Sequence, residues 1–185
     1  PSTLIQSMSK ILKNSPIKVG AQNCHEGQTY GPFTGFINSK MLKNVGAKYV
    51  IIGHSENRNL GETDRLINTK IKSALKSGLK VIFCIGETLQ QKKKKFTRKV
   101  LRKQMSLGLE KINNKKDVII AYEPVWSIGT GRTPKTKELF EIINFLKKEY
   151  KKYKILYGGS VNTKNINELK IVKNIDGFLI GGASQ

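Results

Sequence analysis

The sequence predicts an α/β protein with a parallel sheet covered on both faces. Two observations carry this. Short, unbroken apolar runs alternate with longer stretches whose apolar residues recur at helical spacing. Each run also closes in polar or glycine residues at its carboxyl end. A strand buried on both faces has no polar side to show, so its apolar run is continuous. Sites in such folds lie beyond the carboxyl ends of the strands. Alternation alone leaves a closed barrel and a doubly wound sheet equally open.

The elements follow in order. Leu4, Ile5, Met8, Ile11 and Leu12 have helical spacing, and residues 14–16 stop that helix. Residues 17–22 read as a strand. Residues 23–36 form a polar, glycine-rich loop, long enough to be functional or an interface. A short helix over 39–45 leads to a strand at 49–52. A polar stretch then enters a helix at 63–76, and a strand follows at 79–85. Residues 96–112 read as a long basic helix with Val100, Leu101, Met105 and Leu109 inward, and the lysines 92–95 open it. A strand at 117–121 precedes the loop 124–133. Then come a helix at 135–151, a strand at 155–157, a short helix at 163–171 and a strand at 177–180. No linker or second domain is visible.

Composition narrows the function. The chain has 185 residues, 38% of them hydrophobic, enough for one core. No apolar run approaches the ~18 residues of a membrane span. No charged-then-apolar signal stands at the amino terminus, so a cytoplasmic protein is expected. Pro1 is not an initiator residue, and further chain upstream is expected. Cys24 and Cys84 have no metal spacing and read as reduced thiols. The net charge is +21. Almost all of the excess is lysine, whereas phosphate and base recognition favours arginine and interleaved aromatics. A solvated lysine surface is the expectation, and no nucleic-acid partner.

The chemistry centres on residues 121–133, AYEPVWSIGTGRT. Glu123 leaves an apolar strand and opens a loop that Pro124 stiffens at one end. Val125 and Trp126 give it apolar bulk, and Gly129 and Gly131 give it freedom at the other end. This is how an α/β enzyme presents a base beneath a movable lid. A lone acid after a strand is more often a surface group; the fixed ends of the loop argue for the base. His54 follows another strand, at a probable helix start where backbone N–H groups disfavour imidazolium. A lone histidine is more often structural. Gly129, Ser160, Gly181 and Gly182 sit at later strand ends, where backbone N–H groups can face a phosphate.

Together these blocks resemble triosephosphate isomerases. The match runs through VGAQN at 19–23, IGHSE at 52–56, CIGE at 84–87, AYEPVW and IGTG within 121–131, YGGSV at 157–161 and DGFLIGGAS at 176–184. The resemblance implies a (β/α)₈ barrel, incomplete here, with about six of eight strands. It implies one partial barrel domain over residues 1–185. The implied reaction is the interconversion of dihydroxyacetone phosphate and glyceraldehyde 3-phosphate, in glycolysis and gluconeogenesis. Glu123 would be the base and His54 the neutral electrophile. Glu56 would be an acid behind the site, and Pro124, Val125, Trp126 and Gly131 parts of the lid. Gly129, Ser160, Gly181 and Gly182 would hold the phosphate. No metal or organic cofactor is implied. The loop 23–36 would insert into a second subunit of a homodimer.

Some features depart from the family. Its first strand, first helix, second strand and last helix have no counterpart here, nor has the first loop with its lysine. A fragment with impaired activity is the resulting expectation, and a phosphate-binding remnant without catalysis is the alternative. Six strands would also leave two parallel edges unclosed. Phe36 replaces a usual acid and Asn57 a usual arginine, so that ion pair is lost.

Overall fold

The apolar runs form six strands in a computed structural model that describes residues 1–27 and 31–184. Residues 28–30 of the expected dimer loop lie outside the described residues. The chain divides into two units, Pro1–Phe83 with Leu107–Val118, and Cys84–Ser106 with Ile119–Gln185.

In the first unit, β1 (Gly20–Ala21), β2 (Tyr49–Ile52) and the start of β3 (Lys80–Ile85) are parallel neighbours. Val50, Ile52, Val81 and Phe83 are fully buried. These four share one face of the strands; Tyr49, Ile51 and Ile82 on the other face are only half-buried, so here the continuous apolar runs do mark strands but the expected cover on both faces is not found. The strand expected over 17–22 shrinks to two paired residues, with Ile17 exposed.

α4 (Asp64–Lys76) packs on β2. The Thr63 side chain caps it by accepting the Leu66 N–H at 3.2 Å. Ile67, Ile71 and Ala74 make its inward stripe. It ends at Gly78, whose φ of +74° a side chain would resist. α2 (Ser39–Asn44) is capped by Asn38, which accepts the Met41 N–H at 2.9 Å. Its Ser39 hydroxyl meets those of Ser73 and Ser77 on the α4 side at 2.9 and 2.8 Å. In α1 (Ile5–Ile11) only Ile5 is buried; Leu4, Met8 and Ile11 of the expected apolar stripe are exposed.

In the second unit, β4 (Val118–Tyr122) from Ile119 onward, β5 (Lys154–Tyr157) and β6 (Gly177–Phe178) are parallel neighbours, with Ile119 opposite Lys154 and Leu156 opposite Gly177. α7 (Thr136–Glu149) buries Leu139, Ile142, Ile143 and Leu146, as its spacing predicts. The short helix expected at 163–171 is α8 (Ile166–Lys170).

The expected long basic helix is instead two helices, α5 (Leu89–Lys93) and α6 (Thr97–Gly108). Thr88 and Gln91 form a reciprocal capping box that starts a helix before the lysine run. The chain then turns at Lys95, φ +60°, and the Phe96 N–H bonds the Gln91 carbonyl at 2.9 Å. The run 92–95 therefore closes one helix rather than opening another.

Candidate active site

β4 delivers Glu123 to its carboxyl end, where the residue is 3% exposed. The Glu123 N–H bonds the Ile85 carbonyl at 2.8 Å, which fixes its backbone. Two glycines make room for it. A Cβ on Gly86 would lie 1.8 Å from the Glu123 carbonyl oxygen. A Cβ on Gly158 would lie 2.6 Å from Glu123 Cγ and 2.9 Å from Oε1. The Gln104 side chain of α6 holds Gly86 at both backbone groups, accepting its N–H at 2.9 Å and donating to its carbonyl at 3.1 Å.

The loop that follows is anchored throughout. Pro124 is buried, and residues Val125–Ser127 form a 3₁₀ turn. Gly129 and Gly131 take φ of +66° and +72°, with open space where a Cβ would stand. The Gly131 N–H donates to Ser160 Oγ at 3.2 Å, and that hydroxyl donates to the Ser127 carbonyl at 2.6 Å. The Ser160 N–H donates to Ser127 Oγ at 3.3 Å. The loop thus lies tied down onto the turn after β5.

Beneath it sits a carboxylate that the sequence reading gave no role. Glu87, 1% exposed, accepts from Trp126 Nε1 at 2.9 Å and from the Tyr122 hydroxyl at 3.2 Å. Burial raises its pKa above the usual carboxylate value; the bonds from Trp126 and Tyr122 and the Lys92 charge oppose this. Burial also lifts the Tyr122 phenol, and the Glu87 charge adds to that. Ser127 was missed as well. Its buried hydroxyl lies 3.3 Å from that of Tyr157 and donates to the Arg132 carbonyl, spanning the loop. The signal for Glu87 was its place directly after the strand-closing Gly86.

Gly181 and Gly182 follow β6, and Gly182–Ser184 form a 3₁₀ turn. A Cβ at either glycine meets nothing, so neither is demanded by packing among the described residues. They leave open backbone at a strand end.

His54 belongs to the first unit. Gly53, φ +80°, turns the chain out of β2, and His54 caps α3 (Ser55–Asn59). Its Nδ1 accepts the Glu56 N–H at 3.4 Å. An Nδ1 that accepts carries no proton, which leaves Nε2 as the ring's donor. The Glu56 carboxylate lies 3.7 Å from the same Nδ1 and is mostly exposed. The N–H bond and an ion pair cannot both use that nitrogen; the N–H bond follows from the helix cap itself. Arg58 braces the segment, bonding the Gly53 carbonyl at 2.7 Å and Asp64 at 2.6 Å. Among the described residues no group of three His, Cys, Asp or Glu is placed to hold a metal ion.

Strand-end acids and glycines on parallel α/β units are the marks of an α/β enzyme. Comparison with known proteins agrees. The family described as triosephosphate isomerase matches residues 1–185. The chain is 42% identical to triosephosphate isomerase of Alkaliphilus metalliredigens over 196 residues, covering all of this chain and 79% of that protein. It is 44% identical to that of Dictyoglomus thermophilum, covering all of this chain and 78% of the relative. The crystal structure of triosephosphate isomerase from Bartonella henselae superposes with a TM-score of 0.91 at 38% identity, covering 100% of this chain and 78% of that one. The fold is accordingly that of the (β/α) barrel, and the class is an isomerase. The chain belongs to the triosephosphate isomerase family.

Proposed function

We propose that this chain interconverts dihydroxyacetone phosphate and D-glyceraldehyde 3-phosphate, with Glu123 as the base. The observation that carries this is the buried Glu123 carboxylate at the end of β4, beside Gly158 and at the start of a tied-down loop. Glu123 takes a proton from the carbon beside the carbonyl, giving an enediolate, and returns it to the neighbouring carbon. His54 Nε2 donates to the oxygens as charge moves between them. This division of roles is the one long known for the family. Backbone at Gly129, Ser160, Gly181 and Gly182 holds the phosphate. Pro124, Val125, Trp126 and Gly131 belong to the lid that keeps water from the intermediate. Residues 1–185 act as one barrel domain, a reading supported by the family match along the whole chain. Replacing Glu123 by Gln should lower kcat about 10²- to 10⁴-fold, the usual worth of a positioned base. A variant that turns over like the wild type would refute the assignment.

We also propose a homodimer formed through loop 23–36, in the cytoplasm. Phe33, Phe36 and Ile37 expose 42%, 62% and 42% of their surface, apolar area suited to a partner. The Phe33 and Phe36 rings lie 4.6 and 4.7 Å from the His25 ring, so the loop holds its own aromatic cluster. Light scattering should give twice the chain mass at micromolar concentration; a monomer would refute the dimer. No helix among the described residues is long and apolar enough to cross a membrane.

A further inference from the structure

We propose that Lys92 is a positioning residue of the lid: held by Glu138, its ammonium clamps the Trp126 ring and favours the closed loop. The proposal rests on reading residues 124–133 as a lid. Trp126 is the only tryptophan of the chain and the largest side chain of that loop. Its edge is held by the buried Glu87 carboxylate at 2.9 Å. Its face is covered by Lys92, whose Nζ stands 3.6 Å from the ring centroid. This is far inside the ~6 Å within which a cation is drawn to an aromatic face.

Lys92 does not reach the ring by chance of an exposed chain. Its side chain is 27% exposed, and Glu138 fixes the ammonium with contacts of 2.8 and 3.0 Å. Glu138 lies in the first turn of α7, the helix that the lid loop runs into. The indole is therefore gripped by Glu87 and Lys92, which precede it in the chain, and Lys92 is held in turn by Glu138, which follows it. Opening the lid by moving Trp126 has to break an N–H bond to a buried acid and draw the ring from under a fixed cation. A loop that opens by carrying Trp126 away gives up both contacts, so they bias the equilibrium towards the tied-down loop.

Lys92→Met keeps length and apolar stem but removes the charge, and Lys92→Arg keeps the charge. The probe is 2-phosphoglycolate, a small phosphate-bearing mimic of an enediolate, followed by Trp126 fluorescence. Lys92→Met should weaken its binding about 3- to 30-fold, the range spanned by half-exposed to desolvated cation–π contacts. The emission of the unliganded variant should also change, because its only indole loses a cation from its face. Lys92→Arg should restore affinity to within about twofold. A merely structural lysine would lower the melting temperature without moving emission or affinity. Lys92→Met with wild-type emission and affinity, or an Lys92→Arg that fails to rescue, overturns the proposal. Ser127→Ala serves as the separate check on the lid reading, since it removes the tie to the Arg132 carbonyl across the loop while leaving Lys92 in place. If Ser127→Ala binds the mimic as tightly as wild type, the lid reading fails. If it weakens binding while Lys92→Met does not, the clamp alone fails.

Discussion

Gly158 and Glu123 stand so close that the first has no room for a single methyl group: its Cβ would sit 2.6 Å from Glu123 Cγ. The turn after β5 is thereby the wall against which the base is set. Gly158→Ala should force the carboxylate aside. The expected stability cost is about 1–3 kcal/mol, that of an overpacked core. The expected loss of turnover is larger, about 10²-fold, because a base displaced by an ångström no longer meets its carbon. Thermal melting and kcat, measured on the same variant, separate the two effects.

Ser160 ties the lid through both roles of its hydroxyl, donating to the Ser127 carbonyl and accepting from the Gly131 N–H. Each bond is worth about 1 kcal/mol. Ser160→Ala keeps the backbone N–H but loses both ties, so kcat/KM should fall by roughly tenfold or more. Steady-state kinetics with and without the variant reads this directly.

Glu87 gives a pH dependence of a less common sign. Its carboxyl titrates above the usual carboxylate value, chiefly through burial. The folded protein therefore binds this proton more tightly than the unfolded chain. Its contribution favours folding below about pH 4.5 and is lost as pH rises through the raised value. Glu87→Gln cannot ionise, so this component should vanish. Urea denaturation across that window should show wild-type stability falling relative to the variant as pH rises. Parallel curves would contradict the shift.

In the first unit, Lys70 and Glu62 are an ion pair with side chains only 8% and 10% exposed. Asn23 joins both, donating to Glu62 at 3.0 Å and accepting from Lys70 at 3.3 Å. Lys70→Met would leave a buried carboxylate without its cation. The expected destabilisation is about 3–5 kcal/mol, measured by denaturant unfolding.

Much of this was legible in the residues. Continuous apolar runs placed the strands, and the acid at the end of one of them placed Glu123. What escaped depends on neighbours distant in the chain. Glu87, Tyr122 and Trp126 form a cluster only because two strand ends and a loop meet, and no local spacing announces that. Ser127 looked like filler within a motif, yet its hydroxyl bonds across the loop. The lysines 92–95 concealed a helix boundary because charge masks the cap signals at Thr88 and Gln91. The apolar spacing of α1 was real, but spacing does not say what covers it, and Met8 and Ile11 remain exposed.

The central claim is that Glu123 moves a proton between adjacent carbons of a triose phosphate. The most direct measurement is deuterium exchange: the chain is held with dihydroxyacetone phosphate in heavy water, and label at the carbon bearing the hydroxyl is followed by NMR. The wild type should incorporate deuterium there, and Glu123→Gln should incorporate it about 10²- to 10⁴-fold more slowly while still binding 2-phosphoglycolate. No incorporation by the wild type, or equal rates in both proteins, would contradict the claim.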